Sequence, residues 1–292
     1  MKRLRLIANP AARGEAAANA ASAHPGWEVE VVRTEVRGHG VLLAEEAAGE
    51  GVDLVAAVGG DGTAREVAAG LSGSHTPMLI VPAGTGNSSY RELFGMTNWT
   101  DLLGAALEGA AVRSVDLNRI EPTGELSLLG FSCGWFAQIV ELAAADTTTT
   151  GAAKYAAAAM ATAAAPTSFD AQVELDGSPF AGGRLGLVAV GGARVRGGVF
   201  PVLPRSILDD GRLEVLAVDA VDSAGFTELM EKVIQGHDLD DARVHRGQGQ
   251  VLLIRSGAVL PTEVDGDLWD KHAGETRIEV VPSALKVLVA PD

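Results

Sequence analysis

The sequence of 292 residues holds one cysteine, Cys133, so no intrachain disulfide can form. No Cys/His spacing resembles a zinc site, and a chain of this length buries enough apolar surface to need neither staple; a reducing, cytoplasmic setting is expected. Gly, Thr, Lys or Asp interrupts every apolar run short of the roughly 18 residues that mark a membrane-span candidate, so no span is expected. The apolar part of Met1 to Ala8 is too short for a secretory signal and leads straight into Asn9-Pro10, which reads as a first strand. Positive charge is scarce: 23 Lys and Arg stand against 38 Asp and Glu, a formal net charge of -15. That balance speaks against a nucleic-acid partner and against docking of the whole protein on an anionic bilayer, leaving at most peripheral membrane contact. A local exception runs from Arg184 to Ser206, where Arg184, Arg194, Arg196 and Arg205 occur without an acid. A solvated sheet edge and a contact with headgroup phosphates both fit it. No Gly-x-x-x-x-Gly-Lys-Ser/Thr loop occurs, which makes a P-loop ATPase the weakest of the readings.

Glycine, by contrast, is placed informatively. Gly59-Gly60-Asp61-Gly62-Thr63 directly follows the apolar run Val52 to Val58, and Pro82-Ala83-Gly84-Thr85-Gly86-Asn87 follows Met78 to Val81. Without a Cβ, such loops let backbone N–H groups approach a phosphate closely, and an adjoining helix N-terminus favours its charge. The pair predicts a nucleoside triphosphate site, with Asp61 placed to serve a phosphate-bound Mg²⁺.

About 150 residues per domain gives two domains. In the first 115 or so residues, strand candidates (Leu4 to Ala8, Glu28 to Arg33, Val52 to Val58, Met78 to Val81) alternate with helical segments, among them Val41 to Gly49 and Ala64 to Leu71, the latter capped by Thr63. This predicts a doubly wound, mostly parallel α/β sheet, with ligands at the carboxyl ends of its strands. After Val115 the rhythm becomes mainly antiparallel β, interrupted by helices at Ala137 to Ala145 and Gly151 to Ala165. Ala284 to Ala290 reads as a strand returning to the first domain. The boundaries are residues 1–117 plus 283–292, and residues 118–282.

Further turn motifs occur in order: Asn9-Pro10-Ala11-Ala12-Arg13-Gly14, Thr34 ahead of Gly38-His39, Glu66 after the first glycine loop, Asp209-Asp210-Gly211-Arg212-Leu213, and Val264-Asp265-Gly266-Asp267. This order resembles the diacylglycerol kinase catalytic-domain family, which includes bacterial lipid kinases, sphingosine kinases and ceramide kinases. The resemblance implies an NAD kinase/diacylglycerol kinase-like fold, in which the second domain is a β-sandwich that helps bind the acceptor. It also implies an ATP- and Mg²⁺-dependent kinase phosphorylating a hydroxyl of a lipid, of diacylglycerol or sphingoid-base type. Asn9, Pro10, Ala11, Ala12, Arg13, Thr34, Gly59, Gly60, Asp61, Gly62, Thr63, Glu66, Gly84, Thr85 and Asn87 would contact the nucleotide, with His39 a further candidate near base or ribose. Asp267 takes the place of the general base, with Asp265 helping to position it and Asp61 facing the metal and phosphates. A structural cation would rest on Asp210 and the carbonyls of Ile207 and Arg212. Family members often self-associate, which allows a homodimer.

The chain departs from the pattern at Ser88, where many bacterial members have Asp, and at Asp267, where Glu is usual and reaches about 1.5 Å further. It also lacks the acid common after the family's Gly-Phe, having Gly134-Trp135-Phe136-Ala137, and has Gly191 where an asparagine is frequent. Taken on residues alone, Asp265-Gly266 and Asp210-Gly211 also suit plain hairpin turns. Two other readings stand beside the lipid kinase. One is an NAD kinase-like enzyme, although no Asn-Glu pair is present; the other is a nucleotide-binding protein of this fold with weak or no kinase activity.

Overall fold

The computed structural model describes residues 1–12, 14–22, 24–149, 152–195, 201–235, 240–269 and 274–289. Arg13 and Arg196 lie outside these. The chain divides into two compact units, Met1–Leu117 with Pro282–Asp292, and Asn118–Val281.

In the first unit β1 (Lys2–Ala8), β2 (Trp27–Arg33), β3 (Leu54–Gly59) and β4 (Met78–Pro82) are parallel, connected by α1 (Glu15–Ser22), α2 (His39–Gly49) and α3 (Asp61–Gly70). Helices α4 (Ser88–Phe94) and α5 (Trp99–Glu108) follow. Every residue of β3 is buried, which is why it reads as an unbroken apolar run and not an alternating one. Their order in the sheet is β4-β3-β1-β2, so the chain winds to one side of β1 and then crosses to the other. That reversal falls between β1 and β3, and open α/β sheets bind ligands outside the carboxyl ends of the strands at such a point. The chain's end returns here: Val287 pairs in parallel with Met78, and the amide of Ser283 donates to Asp116 Oδ1 at 2.7 Å.

β5 (Val112–Glu121) leads into the second unit. There β6 (Glu125–Ser127) and β7 (Phe131–Gly134) precede α6 (Trp135–Ala145) and α7 (Ala152–Ala164). Next come β8 (Phe169–Leu175), β9 (Ser178–Gly191), β10 (Leu213–Asp219), α8 (Ser223–Ile234), β11 (Val244–Gly249), β12 (Val251–Ser256), β13 (Thr262–Val264), β14 (Asp267–Leu268) and β15 (Gly274–Leu288). All the registered strand pairs within this unit are antiparallel. β9 shows how the layers form: Val188 and Val190 join Phe131, Val215, Ile254 and Ile278 in the sandwich core, while Leu187 and Ala189 pack under the helices with Trp135, Phe136 and Phe226.

Helix α8 corrects the sequence reading, which placed two helices in this half. Phe226, Leu229, Met230 and Val233 recur at i, i+3, i+4 and i+7 and are all buried, and Asp222 caps the helix by accepting from the Gly225 amide at 2.9 Å. Among the described residues no helix is long and apolar enough to cross a membrane. Of the arginine-rich stretch, Arg184 donates to Ser168 Oγ at 3.0 Å, and Arg194 and Arg205 are engaged with other groups of the chain.

Cys133 is wholly buried in the sandwich core, and burial pushes its thiol up to about 12, with the charge of Glu263 acting in the same direction. The thiolate is the reactive form, so native protein at about pH 8 should resist iodoacetamide and react fully once unfolded in guanidinium. Mass spectrometry of the native protein checks this, and rapid labelling would contradict the buried position.

Candidate functional site

Four loops leave the carboxyl ends of the first unit's parallel strands, and the sheet order sets them side by side. After β1, Asn9 donates its amide to Val58 O across the switch point, its Oδ1 accepts from the Ala11 amide at 2.9 Å, and the Ala12 amide closes the turn onto Asn9 O. After β2, Thr34 is buried and its amide donates to Ala8 O. The turns after β3 and β4 meet, because Gly59 is the register partner of Pro82.

That meeting is so close that only glycine fits. A Cβ placed on Gly84 would lie 2.5 Å from Gly60 Cα, and one on Gly60 would lie 3.2 Å from Gly84 Cα. Asn87, in the left-handed region at φ 49°, folds the second loop: its Oδ1 accepts from the Gly84 amide and its Nδ2 donates to Gly84 O, both at 2.9 Å. Thr85 at the tip is exposed.

Helix α3 starts on Gly60, which makes no side-chain cap, whereas α5 and α8 are capped by Asn98 and Asp222. This corrects the expected cap at Thr63, which is buried inside the first turn. Asp-Gly-Thr is folded into the helix because an acid there complements the positive end of its dipole. A helix start with no N-cap side chain beside a second glycine loop suits an anion with several oxygens.

The acids around this edge have structural partners. Asp61 accepts from the amides of Ser89 at 2.7 Å and Ser88 at 3.1 Å, tying the β3 turn to the start of α4. Glu66 accepts from the amides of Gly38 at 2.8 Å and Gly40 at 2.9 Å, and so anchors the start of α2. His39 Nδ1 accepts from the Glu35 amide, closing the same loop.

Replacing Gly84 by alanine forces the two loops apart while leaving the strands beneath them intact. On the expectation from the sequence that these turns hold ATP, its affinity should fall about tenfold or more with little change in melting temperature. Calorimetric titration with ATP checks it; unchanged affinity would remove the loop junction from the nucleotide site.

In the second unit Asp265 and Asp267 flank Gly266 in the turn joining β13 to β14, but in different surroundings. Asp267 is exposed, while Asp265 is buried, at 3% exposure. Asp265 Oδ1 accepts from Ser127 Oγ, Leu129 N and Gly130 N, and Oδ2 from Leu128 N, at 2.7 to 2.9 Å. The expectation that it faces the same side as Asp267 is thereby corrected: Asp265 anchors the turn from beneath. Sequence reasoning missed Ser127 and the buried Glu263, which accepts from Ser132 Oγ at 2.6 Å and from the Gly266 amide at 2.8 Å. The turn Asp-Gly was a visible signal, but its partners lie more than a hundred residues away. Asp210 Oδ1 accepts from the Arg212 amide at 3.0 Å, and Ile207 is half exposed. Among the described residues no group of three or more His, Cys, Asp or Glu could hold a metal.

Residues 3–120 match the family model of the diacylglycerol kinase catalytic domain, and residues 131–289 match that of the YegS C-terminal NAD kinase beta sandwich-like domain. The chain belongs to the diacylglycerol kinase catalytic-domain family. A solved structure of a diacylglycerol kinase from Bacillus anthracis str. Sterne superposes with a TM-score of 0.72 at 20% identity, covering 99% of this chain and 97% of that one. An NAD kinase from Archaeoglobus fulgidus, solved in complex with ATP, gives 0.53 at 14% identity, covering 98% and 93%. Both share the fold. No curated protein matches the sequence. Family membership makes the chain a kinase-type phosphotransferase by kinship, with an α/β domain and a β-sandwich domain of the NAD kinase type.

Proposed function

We propose that this chain is an ATP-dependent kinase that moves the γ-phosphoryl group to a hydroxyl of a lipid, of diacylglycerol or sphingoid-base type. The observation that carries the reading is the contact of Gly60 with Gly84 at the carboxyl edge of two adjacent parallel strands, where α3 starts without an N-cap side chain. Phosphoryl transfer asks little covalent chemistry of a protein, so amides that hold phosphates and a carboxylate that takes the acceptor's proton are the main requirements. The turns after β1, β3 and β4, with Thr34, would bind the triphosphate. Asp267 would receive the hydroxyl proton.

The residues fit Mg²⁺ brought in with the nucleotide better than a resident ion, since Mg²⁺ is commonly held by one or two carboxylates plus phosphates. Asp61 is the candidate carboxylate, and the ion's contribution when bound is to neutralise phosphate charge. A structural cation on Asp210 and the carbonyls of Ile207 and Arg212 belongs to the same proposal, as do a cytoplasmic location with peripheral membrane contact and a homodimer.

The test is incubation of the protein with labelled ATP, Mg²⁺ and a panel of diacylglycerol, sphingoid bases and NAD. Transfer to a lipid is expected. Label only in NADP would replace the lipid by the dinucleotide, and ATP binding without transfer to any acceptor would leave a binding protein of this fold.

A further inference from the structure

Two buried carboxylates grip the one two-residue turn that precedes Asp267. Val264 pairs with Asp267 across it, and Asp265 and Gly266 both have positive φ, 52° and 87°, as a type I′ hairpin requires. An Asp-Gly dipeptide closes such a turn unaided, so the hairpin itself needs no further support. Yet Asp265 is bonded to the β6–β7 connection, and Glu263, at 2% exposure, holds the Gly266 amide with one oxygen and Ser132 Oγ with the other. Glu263 is the register partner of Ser132, on the face of β7 opposite Phe131 and Cys133. Burying a carboxylate is unfavourable unless its oxygens are hydrogen-bonded, and here those bonds fix the turn to β7 and to the β6–β7 connection.

We propose that Glu263 is a positioning residue for Asp267: by tying the Gly266 amide to Ser132, it fixes where the Asp267 carboxylate meets the acceptor hydroxyl. This rests on the kinase reading above. Aspartate has one methylene fewer than glutamate with which to adjust its carboxylate, so rigid support of its turn matters.

The experiment measures kcat and KM for Glu263→Gln, Glu263→Leu and Ser132→Ala, alone and combined with Asp267→Ala. Glutamine keeps both contacts, accepting from Gly266 with Oε1 and donating to Ser132 with Nε2, and should hold kcat within about threefold. Leucine removes both, and kcat should fall by about 10–100-fold with KM for ATP unchanged. In the Asp267→Ala background the same leucine should cost less than about twofold, because the group it positions is gone. If Glu263→Leu does not fold, Ser132→Ala supplies a smaller loss of the same kind, also absent without Asp267. Equal losses with and without Asp267, or a kcat untouched by leucine, would overturn the role while leaving the kinase reading in place. A folded wild type that phosphorylates nothing would overturn the kinase reading and this role with it.

Discussion

Replacing Asp267 by alanine is expected to lower kcat by about 10²–10⁴-fold while ATP affinity stays unchanged, the loss that the proposed role of Asp267 as general base requires. The two quantities separate because Asp267 belongs to the second unit, whereas the proposed phosphate cradle is built wholly from turns of the first. Its exposure means that little packing is lost with the side chain, so melting temperature should not move. Retention of more than about a tenth of wild-type turnover would take Asp267 out of proton transfer. Asp267→Glu extends the carboxylate by about 1.5 Å. A gain in kcat would show that the natural base sits short of its proton; no change would mean that the backbone already supplies the reach.

The parts legible in the sequence are those that local chemistry determines. Strands β3 and β4 are visible because buried strands carry continuous apolar runs, the edge strand β2 because its valines alternate with glutamates, and the glycine turns because no other residue permits backbones as close as Gly60 and Gly84. The amphipathic repeat of α8 is equally local, and was hidden only by the run of strands around it. Asp265 and Asp61 are a different matter. In the sequence each is an acid beside a glycine; what each does depends on the Ser127 hydroxyl and the amides at 128–130, and on the amides at 88–89, that only the folded chain brings near. Both carboxylates organise loops, and that contribution is separable from any contact with phosphate or metal. The start of α3 shows the same limit at short range: Thr63 has the chemistry of a cap, but the helix begins at Gly60 because Asp61 and Gly62 can enter its first turn.

The other large effect concerns stability. Asp265→Ala should destabilise the second unit by about 3–5 kcal/mol, as removing one partner of a buried charged network does. Four donors, Ser127 Oγ and the amides of Leu128, Leu129 and Gly130, lose their acceptor, each at about 1–3 kcal/mol when left buried and unpaired. The deleted carboxylate's own desolvation penalty offsets part of that sum. Alanine also tolerates φ 52° less well than aspartate or asparagine, which adds to the loss. Asp265→Asn keeps the left-handed conformation and one acceptor oxygen, but turns an NH₂ toward a backbone N–H; an intermediate loss is expected. Stabilities of domains total about 5–15 kcal/mol, so the alanine variant would sit near the edge of folding. Urea unfolding followed by fluorescence can assign the effect, since Trp135 and Trp269 lie in the second unit and Trp27 and Trp99 in the first. In variants that keep only one of these pairs, the transition should move to lower urea with the second unit's tryptophans and stay put with the first's. An unshifted second-unit transition would mean that the four hydrogen bonds contribute little, leaving Asp265 open to a role in the reaction itself.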